Sequence, residues 1–246
     1  IENGIISLNV ERYKQDSVPE NYLSAPFRVF YDITYKCNLR CKHCFTSSGV
    51  ERTEELTTDE KLKLVEQLAE LGVERVSIAG GEPFASKDIY KFVQKCNREN
   101  IDVSISTNAT LLNDETIDKI NNLEIKNITV SFDGGTEKSM DFIRGRGTYK
   151  KAIDGLKILN EKYNKPYSIK TTLMKNNIQE IEELIKLAIK YNCNTIKFNC
   201  VREDGRAVEN KDDVILSQYE YIEVVKNIEK LRKKYETKIK IRAPLN

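Results

Sequence analysis

What the sequence has little of narrows it first. Lys and Arg number 40 against 38 Asp and Glu, a formal net charge of only +2 over 246 residues. No surplus of one sign draws the chain to nucleic acid or to an anionic membrane, although local patches remain open. No run of about 18 apolar residues occurs, so no membrane-spanning helix is expected. The start lacks a basic-then-apolar leader, which argues against secretion and for the reducing cytoplasm, where cysteines stay thiols or bind metal. Internal repeats and low-complexity segments are absent, which excludes a repeat array. Histidine occurs once, at His43, and the chain begins at Ile1 rather than Met, as a fragment or trimmed chain would. What is present is a 32% charged composition, consistent with a well-solvated surface, on a length able to bury one sizeable core.

Along the chain, β-branched apolar runs alternate with longer helical patterns. Strands are expected at 26–34, 74–80, 101–107, 127–133, 168–174 and 195–201, with KIKIR (238–242) able to start one more. Helices are expected at 56–72, 87–99, 114–122, 148–163, 178–191 and 217–235. The first helix carries a capping box, Thr57 with Glu60, repeats Leu64, Val65, Leu68 and Leu71 at helical spacing, and stops at Gly72. Six strand–helix units imply parallel strands with right-handed crossovers and outer helices, either an open doubly wound sheet or a barrel. Residues 1–25 read as an extended N-terminal lead-in to a core over 26–246, and 202–216 as a long, polar late connection. In both parallel architectures the active site lies at the carboxyl ends of the strands. The chemistry-bearing residues fall there: the cysteine loop, GGEP (80–83), STNAT (106–110) and SFDGG (131–135) follow the first four strands in turn.

Cys37, Cys41 and Cys44 stand in the order C-x3-C-x2-C within a polar, basic stretch, three of only six cysteines. Disulfides need pairs and closed zinc sites usually need four ligands. His43 adjoins Cys44 and is poorly placed to share one tetrahedral ion with it. Cys96 and Cys193 read as small buried hydrophobes; Cys200, near a strand end, could face the site but reads first as filler. A 4Fe–4S cube held by three cysteines fits the count, with its fourth iron open to a non-protein ligand. Arg40 and Lys42 are expected to offset the charge of cluster and thiolates. Three thiols in redox service or a structural zinc are the alternatives.

KCNLRCKHC (36–44) resembles the signature loop of the radical S-adenosylmethionine (radical SAM) superfamily, with His43 in the place of its usual aromatic residue. AGGEPF (79–84) resembles the family's GGEP motif. The resemblance spans roughly residues 27 to 200 and implies a partial, six-stranded (β/α) barrel of the TIM type. It implies that Cys37, Cys41 and Cys44 ligate one 4Fe–4S cluster and that SAM chelates the open iron. In the glycine motif, Gly80 and Gly81 let backbone approach a ligand, Pro83 fixes the turn, and Glu82 is expected to accept from SAM's ammonium. Ser106 and Asn108 are expected on the ribose and methionine side. Ser131, Asp133 and the downstream RGRGTY (144–149) resemble members that often carry a C-terminal SPASM or twitch domain. That likeness implies that Ser131 and Arg144, with Arg146 as the alternative, face SAM's carboxylate. Phe198 and Val201 are the candidates beside the adenine, where His43 also packs.

The resemblance implies reductive cleavage of SAM to a 5′-deoxyadenosyl radical that abstracts a substrate hydrogen. The expected substrate is a peptide or protein, entering through the lateral gap of an incomplete barrel, and the expected reductant is a flavodoxin- or ferredoxin-like donor. Nucleic-acid and membrane partners are not expected. Competing expectations are a radical SAM enzyme acting on a small molecule in cofactor or haem-related biosynthesis, and a non-catalytic zinc-binding barrel. SPASM and twitch domains bring further cysteines, whereas none follows Cys200 here. The expectation is a truncated core or a protein without auxiliary clusters.

Overall fold

The β-branched runs form the strands that their composition suggests. A computed structural model describes residues 25–243; the predicted lead-in, apart from Ala25, lies outside the described residues. Strands β1 (Arg28–Asp32), β2 (Arg75–Ala79), β3 (Asp102–Thr107), β4 (Ile125–Ser131), β5 (Tyr167–Leu173), β6 (Thr195–Cys200) and β7 (Lys240–Arg242) make one sheet in sequential order, parallel at every pair. Among the described residues there are seven strands, the six expected ones and the further one that KIKIR could start. Helices α1 (Thr58–Glu70), α2 (Ile89–Arg98), α3 (Asp114–Asn121), α4 (Glu137–Arg144), α5 (Thr148–Lys162), α6 (Ile181–Lys190), α7 (Arg206–Glu209), α8 (Lys211–Val214) and α9 (Gln218–Tyr235) join them. Among these α4, α7 and α8 were not foreseen: the polar connection 202–216 folds into two short helices.

Local chemistry sets the boundaries. Thr57 and Glu60 close the expected capping box on α1, and Gly72, at φ +83°, ends the turn after it in a conformation costly for other residues. Each strand alternates. Val76, Ile78, Val103, Ile105, Ile128, Val130, Ile196 and Phe198 face the helices and are fully or almost fully buried there. With Phe92 and Phe132 they form the main core between sheet and helices, each large side chain contributing about 1.5–3 kcal/mol by burial.

The opposite face of the sheet is polar. Ser77 and Ser104 hydroxyls lie 2.9 Å apart, Asn127 Nδ2 donates to Thr129 Oγ1 at 2.8 Å, and Thr129 and Ser168 hydroxyls meet at 3.2 Å. This face lines a cavity of about 1110 Å3. Strands β1 and β7 are the edges and do not pair with each other. The sheet is an α/β partial barrel with a lateral gap, and the cysteine loop crosses its carboxyl end.

Candidate active site

The cysteine loop leaves β1 and is closed on itself by backbone bonds, Cys37 N to Gly49 O at 3.0 Å and Gly49 N to Tyr35 O at 2.9 Å. Cys37, Cys41 and Cys44 all line the barrel cavity, and none is disulfide-bonded. Each sulfur meets a polar group. Leu39 N donates to Cys37 Sγ at 3.4 Å and Asn108 Nδ2 at 4.0 Å; Arg144 Nη1 reaches Cys41 Sγ at 3.9 Å; Thr46 Oγ1 lies 3.6 Å from Cys44 Sγ. Burial raises the Cys37 thiol and pushes Cys41 up to about 11, with Arg144 opposing it. A thiolate at Cys41 therefore calls for a cation, which iron provides. Among the described residues no three His, Cys, Asp or Glu side chains are placed to hold a single metal ion. A cluster asks something else of its cysteines, one thiolate for each of three irons. The donor set fits the cluster better than zinc.

The expected charge partners are elsewhere. Lys42 Nζ lies 2.6 Å from Asp213 Oδ2 and 4.0 Å above the Phe142 ring, and the Arg40 guanidinium is packed on Gly49. Arg144, at the end of α4, takes that position instead.

Gly80 and Gly81 are needed for packing against this loop. Gly81 N donates to Thr34 O at 2.7 Å and Glu82 N to Lys36 O at 2.9 Å. A Cβ on Gly81 would sit 2.2 Å from Lys36 O, and one on Gly80, at φ +116°, 2.4 Å from Thr34 O. The close approach required is thus to the cysteine loop's own backbone. Glu82 is fully buried behind the cavity wall. Its Oε1 accepts from Thr107 Oγ1 at 2.7 Å and Phe84 N at 3.2 Å, and its Oε2 from Asn108 N at 2.7 Å. Burial raises its carboxyl above the usual range, against the pull of these bonds. Glu82 thus lies beneath the rim rather than exposed on it, and braces Asn108 from there. Asn108 donates to Asn38 Oδ1 at 3.0 Å and so ties β3 to the cysteine loop. Ser106 and Ser131 line the cavity, and neither hydroxyl has a partner among the described residues.

Asp133, fully buried beyond β4, gathers three groups. Its Oδ2 accepts from Arg144 Nε at 2.7 Å and Nη2 at 2.6 Å and lies 3.2 Å from His43 Nε2; its Oδ1 accepts from Thr172 N at 2.7 Å. Burial alone would raise this carboxyl, but Arg144 and then His43 outweigh it and hold it far below the usual carboxylate range. Arg144 thus spends two of its three nitrogens on Asp133 and keeps Nη1 for the cysteine side. The RGRGTY segment is the turn between α4 and α5, stitched by Asp141, whose carboxylate accepts from Gly147 N at 2.6 Å and Tyr149 N at 2.9 Å. That turn leaves Arg146 exposed and brings Arg144 inside.

Val201 and Cys200 line the cavity, whereas Phe198 does not. Phe198 is fully buried on the helix side of β6, because alternation sends Thr195, Lys197 and Asn199 inward and Ile196 and Phe198 outward. Its expected contact with adenine is corrected accordingly. Cys96 and Cys193 are buried, as expected.

Sequence reasoning missed a clamp on the loop. Arg206 Nε donates to Cys41 O at 2.9 Å, its Nη1 to Ser48 O at 2.8 Å and its backbone N to Cys44 O at 3.0 Å; Asn210 Nδ2 reaches Lys42 O at 3.3 Å. Nothing in a polar run signals a partner 165 positions away. It also missed the inward residues Lys170, Thr172 and Lys197, although polar residues at alternate positions of β5 and β6 carry that signal.

The family model of the radical SAM superfamily matches residues 31–188. The mycofactocin maturase MftC of Mycolicibacterium smegmatis is 29% identical over 195 residues, 79% of this chain and 50% of that protein. The PqqA peptide cyclase of Bradyrhizobium diazoefficiens is 26% identical over 230 residues, 93% of this chain and 60% of the relative. Streptococcus suis SuiB, solved bound to the precursor peptide SuiA, superposes with a TM-score of 0.77 at 21% identity, over 91% of this chain and 50% of that one. The chain spans about half the length of the curated relatives it matches.

Proposed function

The chain belongs to the radical SAM superfamily, and on that premise we propose that it is the catalytic core of an enzyme that modifies a peptide or protein by hydrogen abstraction. When bound, a 4Fe–4S cluster and SAM supply reductive cleavage of the sulfonium, giving methionine and a 5′-deoxyadenosyl radical. The observation that carries the reading is the convergence of Cys37, Cys41 and Cys44 on one cavity, each sulfur beside a polar group, at the carboxyl end of a parallel barrel.

The residues divide the work. The three cysteines would hold three irons and leave one corner for SAM. Arg144, with Nη1 still free of Asp133, and the hydroxyls of Ser106 and Ser131 would bind SAM's polar groups. Asp133 fixes the guanidinium in place, and Glu82 fixes Asn108 and Thr107; both act as positioning residues. Gly80 and Gly81 hold the loop close, while His43 and Val201 wall the space and exclude water. Hydrogen abstraction needs no general base, and none is assigned. The reductant is an external one-electron donor of flavodoxin or ferredoxin type, and the setting a reducing cytoplasm. The division into a lead-in over 1–25 and a core over 26–246 belongs to the same proposal.

A peptide substrate is supported by the lateral gap between β1 and β7 and by the similarity to a peptide cyclase. A compact metabolite is the second reading, favoured by the many hydroxyls inside the cavity. Deuterium transfer from labelled candidates into 5′-deoxyadenosine separates the two. The primary test is anaerobic reconstitution with iron and sulfide, then dithionite and SAM. Wild type is expected to release 5′-deoxyadenosine and Cys41→Ala to fall to background. Iron-loaded wild type that leaves SAM intact would refute the reading.

A further inference from the structure

A row of cations crosses the inside of the barrel. In the sheet register Ser131 lies beside Lys170, Lys170 beside Lys197, and Lys197 beside Arg242, on β4 to β7 in succession. All four line the cavity. Neighbouring strands are about 4.8 Å apart, so three positive side chains stand side by side, an arrangement that destabilises a sheet. Among the described residues none of the three has an ion pair or hydrogen bond. Arg28, on the opposite edge strand β1, adds its charge: burial, Arg242, Arg28 and Lys170 together depress the Lys197 amine, and burial depresses Lys170.

The carboxylates near the cavity wall do not pair with the row. Asp102 faces Arg75 at 3.9 Å and Lys126 at 3.4 Å. Asp133, the one acid that supports Lys170, has its oxygens on Arg144, His43 and Thr172 N. At Asp32, burial raises the carboxyl and Arg52 lowers it, and it forms no ion pair with the row. The row is thus without a carboxylate partner among the described residues. Cations held together without an anion are unfavourable in the free protein and favourable once one is bound.

The row starts beside Ser131, assigned above to SAM, and leads away from it over β5, β6 and β7. Ser131 and Lys170 lie two residues before Asp133 and Thr172 on the same strands, roughly 7 Å deeper in the barrel. The row runs away from the cysteines to Arg242 at the edge of the lateral gap. We propose that Lys170, Lys197 and Arg242, with Arg28 facing them, seat a carboxylate of the substrate peptide, so that the segment offered to the site carries an acidic group next to the residue attacked. This rests on the peptide reading above. Carboxylate is the anion an unmodified peptide brings, as an Asp or Glu side chain or as its C-terminus.

The test is calorimetric titration of the reconstituted full chain with blocked Ala-Ala-Glu-Ala-Ala, its blocked Gln twin, and the Gln twin with a free C-terminus. The Glu peptide is expected to bind tighter than the blocked Gln peptide by about tenfold or more. Lys197→Met and Lys170→Met should each abolish that preference, and Lys197→Arg should keep it. Lys197→Met should also raise Tm, by about 2 °C, because it relieves repulsion; a merely structural lysine would lower it. Tight binding of the free-terminus Gln peptide alone assigns the seat to a C-terminal carboxylate and supports the proposal in that form. Equal binding of all three peptides, no binding of any, or a preference untouched by Lys197→Met overturns it. Binding needs no turnover, so this result stands apart from 5′-deoxyadenosine release by wild type, which tests the proposed function.

Discussion

Asp133 and Arg144 are each almost wholly buried and satisfy each other through two short bonds. Asp133→Asn leaves a guanidinium without its counter-charge and should cost about 3 kcal/mol in denaturant unfolding. The pH dependence has a definite sign. The folded carboxyl lies below its unfolded value of about 3.9, so its stabilisation is complete above that pH and is lost as pH falls below it towards the folded value. Acid titration of wild type against Asp133→Asn should show a shallower loss of stability below about pH 4 in the variant. Gly81→Ala places a methyl on Lys36 O and should destabilise by about 2 kcal/mol, with less iron retained after reconstitution. At this scale the sequence singled out residues but not their partners. Glu82 and Arg144 stand out by motif, yet that Glu82 braces Asn108 and that Arg144 forks onto Asp133 are facts of three-dimensional contact with no local pattern.

The elements that position the site divide into those with strong local signals and those without. Helix α1 has its capping box and α9 another, formed by Ser217 and Glu220, and both lie within a residue or two of where the sequence puts them. Helices α7 and α8 have four residues each, too short for a hydrophobic period to emerge, and α4 has eight between two glycine-bearing turns. Yet α4 delivers Arg144, and α7 clamps the cysteine loop. Arg206→Ala removes two bonds from a cation to loop carbonyls and should cost about 1.5–3 kcal/mol. Hydrogen exchange should show the loosening directly, with faster exchange of residues 37–49 and the sheet unchanged; unchanged loop protection would deny α7 this role.

The whole molecule sorts its chemistry by face. The helix side of the sheet is apolar and the barrel interior polar, so substitutions on the two faces should have separable effects. Phe198→Ala, on the helix side, should cost about 3–5 kcal/mol while the rise in Tm on adding SAM persists. Parallel alternation was legible because it needs only runs and their order. It placed the motifs at one end of the barrel without knowledge of any contact. The depth of the cavity was not legible: whether Lys170 stands beside Lys197 depends on the register between strands, which sequence period alone does not fix. The central claim is that Cys37, Cys41 and Cys44 hold a cluster with one corner open to SAM. Electron paramagnetic resonance of the anaerobically reconstituted, dithionite-reduced protein tests it most directly. A reduced-cluster signal that changes on adding SAM, and is missing from Cys41→Ala, is the predicted result; a signal indifferent to SAM, or one surviving Cys41→Ala, would contradict it.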